Sequence, residues 1–269
     1  MLHELAGLTI DTRDPTTEQR RPLPILFIHG MWEGGWLWEN YLDVLSGQGY
    51  RCHALYLRGH DPARPDPNLG KLTIQRYIAD VRAVAAELGN PILIGHSMGG
   101  LIVQKLAELT DPPAAVTIAP AAPRGIFALN TWALLRISVR HSPEIFGGRP
   151  LMLSQAEMNA LLLNRLPPAE QTRVYAKLVP ESGRQTFDIA VAGLPVAAER
   201  VRCPLLVLGA TDDQITPAKM VRKIARKYSA TYREYRGHAH MLMIEQGWRE
   251  IASEVVEWLE AQKLDAPVQ

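Results

Sequence analysis

The sequence predicts an α/β protein with a mostly parallel central sheet, helices on both faces of the sheet and a helical insertion. Two observations predict this class. Short apolar runs alternate with amphipathic stretches along most of the chain, as is typical of a parallel sheet covered by helices. The alternation stops between residues 121 and 200, where no strand pattern is visible. With 269 residues, 47% of them hydrophobic, the chain can bury a large core.

Six apolar runs indicate the strands of the sheet. Residues 24–28 are nearly all apolar, as expected for a central strand that is buried on both faces. The predicted strands are residues 24–28, 52–57, 92–94, 115–118, 205–208 and, with a weaker pattern, 231–235.

Four further stretches predict helices. Residues 74–88 carry apolar side chains at helical spacing, and Thr73 is a suitable N-cap. Residues 101–109 have few charges, which predicts a buried helix. Residues 217–228 begin with a proline, which the first turn of a helix tolerates, and residues 248–259 form the last helix.

Residues 121–200 interrupt this pattern and predict a helical unit inserted between two strands. The segment contains Leu- and Met-rich stretches that are repeatedly broken by proline. We therefore predict a core made of residues 1–120 and 201–269, with residues 121–200 as the insertion.

The charge balance gives little reason to expect a polyanionic partner. Lys and Arg total 29 and Asp and Glu total 28, so the formal net charge is +1, and we expect no nucleic-acid partner. We expect a cytoplasmic monomer or homodimer, without a membrane-spanning segment, because the N-terminus lacks the apolar run of a signal peptide. Cys52 and Cys203 are expected to be buried free thiols. Zinc-binding and P-loop patterns are absent from the sequence, so we expect no metal and no cofactor.

The strongest local signal is the G-x-S-x-G pattern around Ser97. An apolar run precedes it and a helical stretch follows it. A serine at a tight strand-to-helix turn has strained backbone geometry, and Gly95 and Gly99 allow neighbouring backbone to approach closely. Such a turn projects the Ser97 hydroxyl out of the sheet, beside the N–H groups that begin the next helix. Ser97 is therefore predicted to be a nucleophile.

A second motif, beginning with His29 and Gly30, directly follows the first predicted strand. Acyl transfer needs hydrogen-bond donors for the negative charge that develops on the carbonyl oxygen. We predict the backbone N–H groups of Met98, next to the nucleophile, and of Met31, in this loop, as these donors. His29 is predicted to brace the loop rather than to act in catalysis.

These two motifs, in this order, resemble those of the α/β-hydrolase family. The resemblance continues at residues 57–60, 209–217 and 237–245, and it runs from about residue 24 to the C-terminus apart from the insertion. It implies a catalytic triad in the order serine, acid, histidine. It also implies that the insertion is a helical cap over the active site. The Trp-rich loop that follows Gly30 is similar to that of the plant-type esterase and hydroxynitrile lyase branch.

The resemblance leaves two candidates for the acid and two for the base. Asp213 is preferred to Asp212 because it lies four residues before a helix-opening proline, which is the family's spacing. His240 is preferred to His238 because it lies five residues before a glutamate. In the implied mechanism, His240 activates Ser97, Asp213 orients His240, and water then releases an acyl-enzyme.

The insertion and the loop after Gly30 are expected to set substrate preference. Their large apolar side chains predict an uncharged, moderately hydrophobic small-molecule ester. The candidate lining residues are Met31, Trp32, Met98, Trp132, Leu134, Leu135, Met152 and Met158. The same triad also serves thioesters, amides, lactones, carbon–carbon bonds and cyanohydrins in the family, and a small-molecule binding protein without turnover is an alternative of another class.

Overall fold

An eight-stranded sheet forms the centre of the part of the chain that the structure, a computed structural model, describes: residues 1–127 and 132–264. The described strands are β1 (Leu2–Leu5), β2 (Leu8–Arg13), β3 (Ile25–Ile28), β4 (Cys52–Leu55), β5 (Ile92–His96), β6 (Ala115–Ile118), β7 (Pro150–Leu151), β8 (Glu181–Ser182), β9 (Leu205–Ala210) and β10 (Thr231–Tyr235). The order in the large sheet is β1-β2-β4-β3-β5-β6-β9-β10. In this sheet order, all neighbouring strands from β4 to β10 are parallel, which confirms the predicted class.

The six predicted strands all lie in this sheet, but the hairpin β1–β2 was not predicted. Its two strands pair antiparallel with each other, and β2 also pairs antiparallel with β4. Its turn consists of Ala6 and Gly7, both with positive φ (48° and 78°), as a tight two-residue hairpin turn requires. The hairpin lies at the sheet edge, where β1 is mostly exposed, so it lacks the continuous apolar run of a central strand.

Helices cover both faces of the sheet. The described α-helices are α1 (Glu39–Gly47), α2 (Ile74–Glu87), α3 (Met98–Thr110), α4 (Trp132–Arg140), α5 (Ser142–Gly147), α6 (Gln155–Leu161), α7 (Pro168–Tyr175), α8 (Gly183–Phe187), α9 (Ala218–Lys227) and α10 (Trp248–Ala261). Alternate residues of β3 show the two layers. Ile25 and Phe27 pack in one cluster with α1 and α10, whereas Leu26 and Ile28 pack in another with α2, α3 and α9. Thr73 caps α2 by accepting a hydrogen bond from the Arg76 N–H (3.2 Å), as predicted.

The segment between β6 and β9 contains α4 to α8, in agreement with the predicted run of helices. It also contains the short antiparallel pair β7–β8, so the expectation that this segment has no strand was wrong. Each of these strands has two residues, which is too short for any periodic pattern to be visible. Within the described ranges, no helix has both the length and the apolar character needed to cross a membrane.

Both cysteines are free thiols, as predicted. Cys52 is buried, but Cys203 is only half-buried, so the expectation of burial was wrong for Cys203. Burial raises the pKa of both thiols, that of Cys203 to about 12, so neither is an activated nucleophile.

Candidate active site

Ser97 lies at the turn between β5 and α3. Its backbone conformation, with φ of 51° and ψ of −115°, is one that residues other than glycine rarely adopt. Such a conformation stores about 1–3 kcal/mol and persists only where surrounding contacts hold it. Here the Ser97 N–H donates to the Ile118 carbonyl (3.0 Å), and the Ser97 carbonyl accepts from the Ala121 N–H (2.9 Å). The turn is thus fastened to the end of β6.

Two glycines permit this turn by their lack of a side chain. A Cβ atom on Gly99 would lie 2.2 Å from the Ile28 carbonyl oxygen, and one on Gly95 would lie 2.4 Å from the Gly99 carbonyl oxygen. Both obstacles are backbone atoms, which cannot swing aside. The start of α3 therefore lies directly against the ends of β3 and β5, as the G-x-S-x-G pattern predicts.

Replacing Gly99 by alanine is expected to destabilise the protein by about 3 kcal/mol or more, because the added methyl group would overlap the Ile28 carbonyl. Gly47→Ala is the matched control. Gly47 ends α1, and its Cβ position has nothing within 4 Å. Urea unfolding of both variants is the measurement, and a Gly99→Ala protein as stable as the Gly47→Ala protein would contradict the close contact.

His240 and Asp213 form a buried pair after β10 and β9. His240 Nδ1 lies 2.8 Å from Asp213 Oδ2, and both side chains are fully buried. The other carboxylate oxygen accepts the N–H groups of Ile215 and Thr216 (both 2.8 Å), and the Thr216 hydroxyl lies 2.7 Å from Oδ2. Burial alone would raise the pKa of Asp213, but the charge and hydrogen bond of His240 and the Thr216 hydrogen bonds lower it below its ordinary value. Asp213 is therefore ionised and faces the imidazole.

The two alternative residues, Asp212 and His238, make other contacts. Asp212 is partly exposed and accepts a hydrogen bond from the preceding threonine hydroxyl (2.8 Å). His238 Nδ1 lies 3.2 Å from the Glu245 carboxylate. Neither of them lines the cavity that Ser97 and His240 share. The geometry favours the two residues that the family spacing preferred.

The contacts of Glu245 explain why a glutamate five residues after the histidine is informative. Its carboxylate accepts hydrogen bonds from the N–H groups of Ala239 (2.8 Å) and Met241 (3.0 Å), the two residues that flank His240. The loop is thereby held on both sides of the imidazole.

The two ring nitrogens of His240 differ in their contacts. Nε2 is buried and, within the described residues, has no hydrogen-bond partner, while Nδ1 is occupied by Asp213. Burial lowers the pKa of His240, but the Asp213 charge and hydrogen bond raise it, and the net pKa lies above the ordinary 6.5. His240 and the strained Ser97 line the same cavity, which makes them candidates for a base and its nucleophile.

The two predicted oxyanion donors are both next to this cavity. Met98 is the first residue of α3, and the first N–H groups of a helix have no partner within the helix. Met31 lies in the loop after β3, and both methionines line the cavity with Ser97. Their N–H groups remain the predicted pair of donors.

Trp32 connects the loop after Gly30 to the insertion. It has a positive φ of 64°, and its indole N–H donates to the Leu151 carbonyl in β7 (3.1 Å). Its own carbonyl accepts the Val179 N–H (2.9 Å). The position of the Met31 peptide therefore depends on the insertion as well as on the core.

His29 braces this loop, as predicted. Its Nε2 accepts the Leu57 N–H (3.0 Å), so its Nδ1 donates to the Gly30 carbonyl (2.7 Å). Burial lowers the pKa of His29 well below its ordinary value, and the ring is neutral.

The cavity has a volume of about 130 Å³ and lies between the loops that carry Ser97 and His240 and the inserted helices. The insertion supplies most of its apolar wall. Residues from that segment include Leu134, Ile137, Ile145, Leu151, Leu153 and Leu161. The polar exceptions on this wall are Ser138 in α4, His141 just after the end of α4, and Thr186 in α8.

The predicted lining residues divide into three groups. Those that line the cavity are Met31, Trp32, Met98 and Leu134. Those that the structure does not place on its wall are Leu135, Met152 and Met158. The side chain of the eighth, Trp132, lies outside the described part of the structure.

Local geometry explains two of the three misplaced predictions, Leu135 and Met152. Each residue of an α-helix is rotated by about 100° from the one before it, so when Leu134 faces the cavity, Leu135 turns away and is 41% exposed. Side chains in extended chain alternate, so Leu151 and Leu153 line the cavity and Met152 between them does not. Apolar character alone could not distinguish these neighbours.

Three further polar side chains belong to the site but were not among the predicted residues. Thr216 holds Asp213, while Glu33 and His96 form a buried pair beside Ser97. Glu33 is 1% exposed and His96 is fully buried. Glu33 is the one carboxylate within residues 30–38, but the sequence does not indicate that it is buried, because glutamate is mostly exposed in proteins.

The chain is similar to known hydrolases in sequence. Residues 25–254 match the family model described as the alpha/beta hydrolase family. A pyrethroid hydrolase of Sphingobium wenxiniae is 28% identical over 229 residues, which cover 76% of each chain. A putative carbamate hydrolase, RutD, of Escherichia coli is 28% identical over 204 residues, covering 72% of this chain and 74% of the relative.

A solved structure agrees with the fold. The monoacylglycerol lipase of Paleococcus ferrophilus matches with a TM-score of 0.72 at 23% identity, covering 95% of this chain and 99% of that one. At this level of identity the likeness concerns the fold alone.

Proposed function

Because the chain belongs to the alpha/beta hydrolase family, we propose that it is a serine hydrolase that cleaves carboxylic esters of small to medium apolar molecules. The observation that carries the proposal is the arrangement of Ser97, His240 and Asp213. A strained serine and the free Nε2 of a buried histidine share one cavity, and the other ring nitrogen lies 2.8 Å from an ionised carboxylate.

The proposed reaction has two halves. Ser97 Oγ attacks the carbonyl carbon of the ester while its proton passes to His240 Nε2. The carbonyl electron pair moves onto oxygen, where the N–H groups of Met31 and Met98 stabilise the charge. When the tetrahedral intermediate collapses, the alcohol leaves with the proton from His240. Water then attacks the acyl-enzyme with His240 again as base, and the acid and free Ser97 are released.

Asp213 supports both halves without itself taking up a proton. Its hydrogen bond keeps the proton of neutral His240 on Nδ1, so that Nε2 can accept. Its charge stabilises the imidazolium that forms in each half-reaction.

The rate of ester hydrolysis is expected to decline on the acid side with a midpoint above pH 6.5. His240 acts only when neutral, and its raised pKa means that it becomes protonated at a higher pH than an ordinary histidine, whose pKa is 6.5. Activity is therefore present above the pKa of His240 and is lost as the pH falls through it. The dependence of kcat/KM on pH is the measurement, and a midpoint well below 6.5 would contradict the pairing with Asp213.

The substrate class follows from the wall of the cavity. Apolar side chains from the insertion surround the reacting groups, and none of the described residues that line the cavity is Asp, Glu, Lys or Arg. Desolvating a charged acyl group against such a wall would be unfavourable. We assign residues 121–200 the role of a cap that selects uncharged substrates. The pyrethroid hydrolase relative supports the choice of an ester.

A panel of chromogenic substrates tests the proposal. The panel contains p-nitrophenyl acetate, butyrate and octanoate, the p-nitrophenyl half-ester of succinate, and butyryl analogues with a thioester, carbamate or amide bond. We expect many turnovers per molecule with the uncharged esters and little with the half-ester. Preference for the half-ester would contradict the substrate class, and faster thioester or carbamate cleavage would contradict the bond assignment. A single turnover, or none, would favour the binding-protein alternative.

A further inference from the structure

A second buried carboxylate, Glu33, lies beside the proposed triad. Its Oε2 accepts the Gly30 N–H (2.6 Å) and lies 2.9 Å from His96 Nδ1. Its Oε1 is buried and has no hydrogen-bond partner among the described residues. Burying a carboxylate costs desolvation free energy, and the cost is larger when one of its oxygens has no hydrogen-bond partner.

His96 extends the contact to the histidine loop. Its Nε2 lies 3.0 Å from the His240 carbonyl, which can only accept, so this nitrogen donates. Its Nδ1 faces Glu33 Oε2, which is already an acceptor for a backbone N–H. The two ring nitrogens thus join the Glu33 carboxylate on one side to the His240 backbone on the other. The His96 and His240 ring centroids are 4.6 Å apart.

Gly30 is close both to this carboxylate and to Ser97. A Cβ atom on Gly30 would lie 2.9 Å from Glu33 Oε2 and also 2.9 Å from Ser97 Cβ. Gly30 therefore lies between the carboxylate and the nucleophile. Because Met31 is the next residue, the hydrogen bond from Gly30 N–H to Glu33 sets where the Met31 peptide lies relative to Ser97.

We propose that Glu33 is a positioning residue that aligns the three loops of the oxyanion site. It holds the Met31 loop through the Gly30 N–H, and through His96 it holds the turn before Ser97 and the His240 backbone. Oxyanion donors contribute only when they lie within hydrogen-bond distance of the developing charge, and misplacement by about 1 Å lowers the rate by about 10²-fold. This inference rests on the proposed esterase function.

The test uses Glu33→Gln and Glu33→Asp in the full chain. Glutamine keeps the shape but removes the charge that pairs with His96, and aspartate keeps the charge but is one methylene shorter. For both, we expect kcat for p-nitrophenyl butyrate to fall about 10²-fold with KM changed less than about twofold, because the oxyanion contact is made in the transition state. Affinity for an alkyl trifluoromethyl ketone, which forms a tetrahedral oxyanion on serine, is expected to fall by the same factor as kcat/KM.

The chain offers a control in Glu108, near the end of α3 that is far from Ser97. Its side chain is only 7% exposed, and its Oε2 accepts hydrogen bonds from Lys105 Nζ (2.7 Å) and the Ala197 N–H (3.1 Å), so these contacts involve neither Gly30 nor His96. Glu108→Gln is expected to lower the melting temperature while leaving kcat and ketone affinity within about twofold of the wild type. It separates loss of stability from loss of alignment.

The outcomes distinguish the proposed esterase function from the positioning role of Glu33. If the wild type neither turns over esters nor binds the ketone, the proposed function fails. If the wild type is active and the folded Glu33 variants keep its kcat and ketone affinity, the positioning role is overturned while the function stands. A loss of kcat shared equally by Glu108→Gln would also overturn it.

Discussion

Replacing Ser97 by alanine is expected to lower kcat for p-nitrophenyl ester hydrolysis by about 10⁶-fold while leaving the fold intact. Ser97 is the nucleophile of the proposed reaction, and it lines the same cavity as His240, whose Nε2 has no hydrogen-bond partner among the described residues. The residual rate would come from the oxyanion donors and substrate binding alone. Steady-state kinetics, with circular dichroism to verify folding, is the measurement.

Ser138→Ala is the matched control for this substitution. Ser138 lines the same cavity from α4 but belongs to the opposite wall. We expect its kcat to remain within a few-fold of the wild type. Comparable losses in both variants, or a Ser97→Ala protein that keeps more than a few per cent of its activity, would contradict the role of Ser97.

Replacing Asp213 by asparagine is expected to lower kcat by about 10⁴-fold. The asparagine N–H can donate a hydrogen bond to His240 Nδ1, which would leave the proton of the neutral ring on Nε2. A protonated Nε2 cannot accept the Ser97 proton. The change also removes the charge that raises the pKa of His240, so the acid limb of the remaining activity is expected to move to lower pH. Rates measured from pH 5 to 9 test both effects.

The neighbouring carboxylate supplies the control. Asp212 carries the same side chain one residue away, but it bonds the Thr211 hydroxyl rather than the imidazole. Asp212→Asn is expected to leave kcat and its pH dependence nearly unchanged. A larger loss in Asp212→Asn than in Asp213→Asn would exchange the roles of the two residues.

Features that depend on local chain geometry could be predicted from the sequence. The G-x-S-x-G pattern works because backbone atoms occupy the space where side chains on Gly95 and Gly99 would lie, whatever the rest of the fold does. The central strands were visible because they are buried on both faces and hence apolar throughout. The edge hairpin β1–β2 is buried on one side at most, and its pattern is correspondingly weak.

Features that depend on distant parts of the chain could not be predicted in the same way. The partners of Glu33 include His96, 63 residues later, and the contact arises only when β3 and β5 pair side by side. Likewise, Leu134 and Leu135 are chemically alike, and only the docking of α4 determines which of them lines the cavity. The spacing of His240 and Glu245 was informative because that contact is local.

Covalent labelling by a fluorophosphonate, read by intact mass and peptide mapping, tests the central claim most directly, because this reagent reacts with a serine only when a base activates it. We predict one adduct per chain on Ser97, formed quickly in the wild type, slowly in Asp213→Asn and absent in Ser97→Ala. A folded wild-type protein that stays unlabelled, or that is labelled at another residue, would contradict the assembly of Ser97, His240 and Asp213 into a catalytic triad.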